Sequence, residues 1–487
     1  MKTYLETFLK DKKYRFALMA FILGAATSFA MAPYYIVPLI FLGLSGLYIL
    51  LDLSSTRLTA ALTGYCFGLG YFGFGLSWIA NALLVEGNAY AWAWPLAVAG
   101  LPALLSFFPA FGALCIKRFC DLKKVTGFFG FVFFLSISEW LRGNILTGFP
   151  WNLFAYTWGE NLEVIQIISL ADVYLLNILT IFWCATLGYL ISTSQSKTIK
   201  ITLTALCLLS FVGNYYFGTQ RLNKNPTQYN EHIKLVLVQP NIKQSEKWQK
   251  EKIVQHYENN LALIHEALKK ENGKDDVYIF LPETAFPPFV TQDPQAKAML
   301  AEVLTTYEGN VTLIAGVLRY NPDKDQYFNS IVAFDKNAGI VNIYDKHHLV
   351  PFGEYIPFNE IVNIAPIVGF NGFQSGIGPE IKETETGFSY IPVICYEAIF
   401  SKAFSSLRHK DKKLIVNVTN DGWYGKSAGP YQHLVQTKFR AIENNVPLLR
   451  VANTGVSGLF DNLGRTVKQT NLFERTTVSN AIPVTNK

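Results

Sequence analysis

Charge is scarce in the first part of this chain. Residues 1–217 hold 22 of the 78 Asp, Glu, Lys and Arg, about one residue in ten, whereas the remaining 270 hold 56, about one in five. Within the charge-poor part apolar residues run for about 18 or more, long enough to cross roughly 30 Å of hydrocarbon as helix, which excludes a wholly soluble protein. With half of its residues hydrophobic, the chain is not of disordered composition. No basic stripe or aromatic platform motif accompanies the formal charge of +6, so there is no case for nucleic acid. The seven histidines show no ligand spacing, and adjacent His347 and His348 cannot easily face one ion, so no metal is expected. Cysteine is nearly missing from the charge-rich part. Cys66, Cys115, Cys120, Cys184 and Cys207 fall in or beside the apolar part and leave Cys395 alone. In an oxidising compartment a lone cysteine forms no disulfide within its domain, so Cys395 is either inert and buried or a reactive thiol. Internal repeats and low-complexity tracts are absent as well.

What is present is a membrane topology. Apolar runs at 16–32, 34–51, 58–79, 89–116, 125–141, 164–191 and 199–217 give seven expected spans. From a cytoplasmic N-terminus, the inside segments carry twelve Lys and Arg, from Lys2 to Lys200, while the outside loops between spans carry only Arg142, a clear positive-inside bias. Residue 218 onward then lies outside the cytoplasm. Reading Ala30-Met31-Ala32 as a signal-peptide cleavage site leaves that placement unchanged. The chain accordingly divides into a transmembrane helical domain, 1–217, and a water-facing domain, 218–487. Glu139 and Arg142 lie three apart on one helical face. They are either a neutralised pair near the interface, or Arg142 holds a lipid phosphate or fixes the aromatic loop 147–151 that follows.

After residue 217, strands rich in branched residues are expected at 233–239, 277–281, 311–317, 330–334, 389–394, 413–418 and 448–452, with a helix at 261–270. That alternation suggests one α/β domain of layered sheets. Three motifs stand at strand ends, where α/β folds place reactive groups. These are Leu281-Pro282-Glu283, Tyr344-Asp345-Lys346-His347-His348 with Glu354 following, and Ile394-Cys395-Tyr396-Glu397. A carboxylate that takes the thiol proton and a cation that stabilises a developing oxyanion make a thiol an effective nucleophile. Glu283 is thus the candidate base, Lys346 the oxyanion cation and Cys395 the nucleophile, with the Tyr396 amide as a further oxyanion donor.

These three motifs resemble the Glu-Lys-Cys triad of the nitrilase, or carbon-nitrogen hydrolase, superfamily. Joined to a multi-span membrane domain, the chain is similar to the apolipoprotein N-acyltransferase family. The likeness includes Phe29 to Tyr34, Glu139 to Gly143 with Thr147 to Trp151, Val238 to Ile242 with Trp248, Asn420 to Gly425 with Trp423, and Arg440 to Gly455. The resemblance implies an αββα sandwich for the second domain, with no cofactor. It implies a ping-pong reaction in which Cys395 takes an acyl chain from the sn-1 ester of a phospholipid, typically phosphatidylethanolamine. The acyl chain then passes to the α-amino group of an S-diacylglyceryl-cysteine apolipoprotein. It gives Glu354, Tyr396 and Glu397 supporting roles, and Trp248 a part in substrate positioning, with simple packing as the alternative. Asn420 and Trp423 join Arg142 as candidate substrate-binding residues.

The resemblance also implies a bacterial inner membrane with the catalytic domain in the periplasm. Tethering the site above the leaflet that holds both lipid substrates raises their effective concentration. The apolar, glycine-rich segment 361–378 is either a lid dipping into lipid or a loop packed on its own domain. One departure is that family members commonly cross the membrane again after the catalytic domain, and no apolar run after Val451 is long enough to do so. The alternative enzyme is a membrane-tethered amidase or nitrilase that hydrolyses its thioester with water. A channel or transporter is disfavoured by the sparse intramembrane charge.

Overall fold

The computed structural model describes residues 13–357, 366–368, 372–407 and 413–484. Residues 361–365 and 369–371 of the expected lid lie outside that set. The chain forms two compact units. The first takes the chain up to Ala80, Trp92–Lys224 and Ser427–Val435; the second takes Asn81–Ala91, Asn225–Lys426 and the chain from Gln436.

The first unit is helical: α1 Lys13–Ser28, α2 Pro38–Leu53, α3 Arg57–Gly75, α4 Trp94–Leu105, α5 Phe107–Phe119, α6 Val125–Asn144, α7 Val173–Ser192 and α8 Lys197–Lys224. Among the described residues four stretches are long and apolar enough to cross a bilayer, namely Ala91–Phe119, α6, α7 and α8. A fifth arises if α3 and Ser77–Leu83 count as one span across a 51° bend. Helix α2 has 16 residues, about 24 Å at 1.5 Å per residue and short of the roughly 30 Å core, and α1 has 16 within the described residues. The unit is therefore a membrane domain of four to five clear spans, against an expectation of seven. The span expected at 164–191 begins later, at Val173, because the Asp172 carboxylate accepts the Tyr174 N–H and caps the helix there. Small residues let backbones meet: a methyl on Gly24 would lie 2.0 Å from the Phe67 carbonyl oxygen, and one on Gly70 2.0 Å from that of Phe21. Ile201, Leu208, Leu209 and Val212 on α8 remain exposed within the unit, as expected of a surface facing lipid.

The second unit contains two six-stranded sheets, ordered β12-β1-β2-β3-β4-β5 and β11-β10-β9-β8-β7-β6. The strands of the first are β1 Gln228–Gln239, β2 Asp276–Phe286, β3 Val311–Asn321, β4 Gln326–Phe334, β5 Ile340–Asp345 and β12 Thr476–Val484. The second contains β6 Lys382–Glu383, β7 Ser389–Ile394, β8 Leu414–Thr419, β9 Leu448–Ala452, β10 Gly458–Phe460 and β11 Thr466–Gln469. The period-two alternation of a strand assigns its residues to different cores. Val236 and Val238 of β1 pack with helices α9 Ile253–Leu268 and α10 Pro294–Leu304. Leu235 and Leu237 face the other way, into a core shared with Leu414, Val416, Val418 and Leu449 of the second sheet. Tyr278 and Phe280 of β2 share that core with Tyr390 and Ile394 of β7, and each of these strands pairs in parallel with a neighbour in its own sheet.

Candidate active site

Each strand-end group is delivered by a local break in regular structure. In β2 the register with β3 slips between Leu281, which pairs with Ala315, and Phe286, which pairs with Val317. Residues 282–285 therefore bulge opposite Gly316, and Glu283 leaves the ladder at that bulge. Lys346 follows the last residue of β5, and its backbone N–H donates to the Asn329 carbonyl at 2.8 Å. Cys395 follows β7 directly and has φ +49°, in the left-handed region that is uncommon for a side-chain-bearing residue. A short 3₁₀ turn, Cys395–Ile399, begins there.

The structure brings Glu283, Lys346, Glu354 and Cys395 into one buried cluster. The Lys346 ammonium donates to Glu354 Oε1 at 2.8 Å and lies 3.6 Å from Glu283 Oε1. Asn329 Nδ2 bridges the same two carboxylates, at 2.7 Å to Glu283 and 3.1 Å to Glu354. Burial works against the charge on Lys346, but Glu354, Glu283 and Cys395 outweigh it and hold the ammonium above the ordinary lysine range. Glu354 Oε2 accepts the Val350 N–H at 2.8 Å, which closes its own loop. The Cys395 thiol is pushed up to about 12, first by burial and then by the Glu283 charge, with Lys346 and the Thr419 hydroxyl pulling the other way. The resting group is therefore a thiol, and it requires a base to become a nucleophile.

Glu397 ties two of the motifs together. Its Oε1 accepts the Tyr344 hydroxyl at 2.9 Å and the backbone N–H groups of His347 at 2.8 Å and His348 at 3.1 Å; its Oε2 accepts the Ile394 N–H at 2.7 Å. One buried carboxylate thus fixes the loop that carries Lys346 to the strand end that presents Cys395. Burial raises its pKa, and the Ile394 N–H leads the donors and Lys346 charge that pull it back. Tyr396 is buried with its ring edge-on to His348 at 5.7 Å and Phe400 at 5.1 Å. His347 and His348 both donate backbone N–H groups to Glu397, and the His348 ring stacks on Phe400 at 3.9 Å.

The remaining candidates are placed as follows. Trp248 is 39% exposed, with the Lys247 ammonium 5.7 Å from its ring centre. Asn420 Nδ2 donates to Gln244 Oε1 at 2.8 Å, and its Oδ1 accepts Asn453 Nδ2 at 3.1 Å, which locks the turn that leads to half-buried Trp423. Arg142 belongs to the first unit. It is buried against Glu139 at 2.5 Å and donates to the carbonyls of Phe149 at 2.6 Å and Trp151 at 2.7 Å. Of the readings open to Arg142, this geometry matches loop fixing. Residues that sequence reasoning missed include Asn329, Lys247 and the buried Asp421–Arg450 pair at 2.5 Å. Asn329 left a signal, a lone amide beside the apolar stretch 330–334; Lys247 left none, lying in a lysine-rich stretch that reads as solvated.

A family model described as carbon-nitrogen hydrolase matches residues 234–486, and one described as the apolipoprotein N-acyltransferase N-terminal domain matches residues 23–186. The chain is 36% identical to apolipoprotein N-acyltransferase of Rhodopseudomonas palustris, with 96% of this chain and 89% of that protein covered. It is 37% identical to the protein of that name from Bradyrhizobium diazoefficiens, covering 93% and 86%. Against the one from Rickettsia typhi the identity is 34%, covering 96% and 92%.

Proposed function

The chain belongs to the apolipoprotein N-acyltransferase family and N-acylates lipoproteins, and from this premise we propose that it takes the acyl chain from a phospholipid by a ping-pong route through Cys395. Glu283 takes the thiol proton as the sulfur attacks the sn-1 ester carbonyl of phosphatidylethanolamine. The oxyanion that forms is met by the Lys346 ammonium and the Tyr396 N–H. Collapse breaks the ester C–O bond, Glu283 returns the proton to the leaving oxygen, and lysophospholipid departs from a Cys395 thioester. The α-amino group of the S-diacylglyceryl cysteine then attacks the thioester and Glu283 takes its proton. The second collapse forms the amide and releases the sulfur, which regains the proton. Glu354 keeps Lys346 charged and placed, Glu397 and Tyr396 hold the strand end, and Trp248, Asn420 and Trp423 border the substrate path. Arg142 serves through the 147–151 loop.

The observation that carries this reading is the Lys346 ammonium held between Glu283 and Glu354 in one buried cluster with Cys395. In the membrane we propose that α1 and α2 cross with the five longer segments. Seven spans then follow in a bacterial inner membrane, with the N-terminus cytoplasmic and the catalytic unit periplasmic. Steady-state kinetics with phosphatidylethanolamine vesicles and a diacylglyceryl-cysteine peptide test the route. Parallel double-reciprocal lines are expected; converging lines contradict it, and fatty acid release with no peptide product would make the enzyme a hydrolase.

A further inference from the structure

The bulge that lifts Glu283 out of the sheet needs anchors that the ladder does not supply. Its central Thr284 is a β-branched residue held at φ +47°, a conformation such residues adopt only when their surroundings impose it. Side chains from outside the sheet hold two of the bulge carbonyls. Asn260 Nδ2 donates to the Ala285 carbonyl at 3.1 Å, and Lys247 Nζ donates to the Glu283 carbonyl at 2.9 Å. The same Lys247 Nζ donates to the Thr284 hydroxyl at 2.7 Å. Lys247 thus grips both sides of the peptide that joins the candidate base to its strained neighbour.

Lysine is a costly choice for such a place if packing were the only need. Its head group is buried, which pushes its pKa down to about 8 against the opposing charges of Glu283 and Cys395. An uncharged amine keeps two N–H donors, so both bonds survive loss of the proton. The loop that carries Lys247 is itself fixed, since Gln244 accepts from Asn420 Nδ2 at 2.8 Å.

We infer that Lys247 is a positioning residue for acyl transfer, clamping the Glu283 carbonyl and the Thr284 hydroxyl so that the bulge presents the Glu283 carboxylate beside Lys346. This inference rests on the reading of Glu283 as the base. A displacement of the base by about 1 Å is enough to cost on the order of 100-fold in rate. In the full chain, with phosphatidylethanolamine vesicles and a diacylglyceryl-cysteine peptide, Lys247→Met should lower kcat by about that factor and leave both KM values within about twofold. Thr284→Val removes one acceptor and keeps the shape, so a smaller loss of about tenfold is expected; it carries the test if Lys247→Met fails to fold.

A cycle with Glu283→Gln separates positioning from a general structural role. If Lys247 acts through Glu283, adding Lys247→Met to Glu283→Gln costs little further rate. A full additional loss in that background, or a Lys247→Met rate within about threefold of wild type, overturns the inference and leaves the base reading intact. Wild-type activity in Glu283→Gln would remove the base reading and this inference with it.

Discussion

Gly316→Ala tests whether the placement of Glu283 is set by the close approach of β3. A methyl added at Gly316 would lie 2.2 Å from the Pro282 carbonyl oxygen, 2.6 Å from Glu283 Cα and 2.7 Å from Thr284 N. All three are backbone atoms, so no side-chain rotation relieves the contact. Restoring ordinary separations near 3.4 Å requires the bulge to retreat by about 1 Å. Overpacking of this kind costs about 1–3 kcal/mol of stability. The larger effect falls on the reaction: a base displaced by about 1 Å loses on the order of 100-fold in kcat, about 2.7 kcal/mol of barrier. The assay is the initial rate of peptide N-acylation by the full chain, run beside a thermal unfolding profile to establish that the variant is folded. A folded variant with kcat within about threefold of wild type would refute the claim that the backbone at the bulge sets the geometry of the base.

Other perturbations reach different parts of the account. Glu397→Gln places an amide where a carboxylate accepts four donors, so about 2–3 kcal/mol of stability and most of the acyl transfer rate should be lost; a near-normal rate would contradict the brace between the Lys346 and Cys395 motifs. Because burial and the Glu283 charge hold the Cys395 thiol near 12, well above the usual value of about 8.5, the thiolate fraction grows with pH across the whole working range. Alkylation of Cys395 by iodoacetamide, followed on its own peptide by mass spectrometry, should therefore rise about tenfold per pH unit from 7 to 10 with no plateau; levelling off below pH 8 would reveal a standing thiolate. Arg142→Gln strands the buried Glu139 carboxylate and frees the Phe149 and Trp151 carbonyls, so folded lifetime in detergent should fall as expected for about 3–5 kcal/mol; unchanged stability with a raised KM for phospholipid would instead place the guanidinium at a headgroup.

The parts of the fold legible in the sequence were those where burial and local pattern agree. The strands at 389–394 and 448–452 match β7 and β9 end to end, because both are short branched runs buried along their length. The helix Gly429–Asn444 left no such signal. It buries Gln432, Thr437 and Glu443, polar side chains with partners remote in sequence, Arg450 for Thr437 and Ser401 for Glu443. Within the first unit, Gln432 Oε1 accepts the indole N–H groups of Trp78 at 3.0 Å and Trp151 at 2.8 Å. Strand β11, Thr466–Gln469, is a largely exposed edge of four residues and has no hydrophobic periodicity to read. In the membrane part the apolar runs located the helices, but α2 starts four residues after the run at 34–51 begins, with Pro38 in its first turn, because a hydrophobic run does not specify where helix geometry starts. At the candidate site, Lys346 and Cys395 stood out because each directly follows a strand, and Glu283 because Pro282 interrupts an apolar run, although β2 continues past that bulge to Phe286 instead of ending at 281. Lys247 and Asn329 did not, since their roles come from hydrogen bonds to residues 36 and 46 positions away.

The central claim is a covalent acyl-enzyme at Cys395, and intact-mass analysis of the purified full chain incubated with phosphatidylethanolamine and no acceptor tests it most directly. The account predicts one hydroxylamine-labile acyl adduct, absent from Cys395→Ala and discharged onto a diacylglyceryl-cysteine peptide when that is added. A folded protein that forms no adduct yet still acylates the peptide would contradict it.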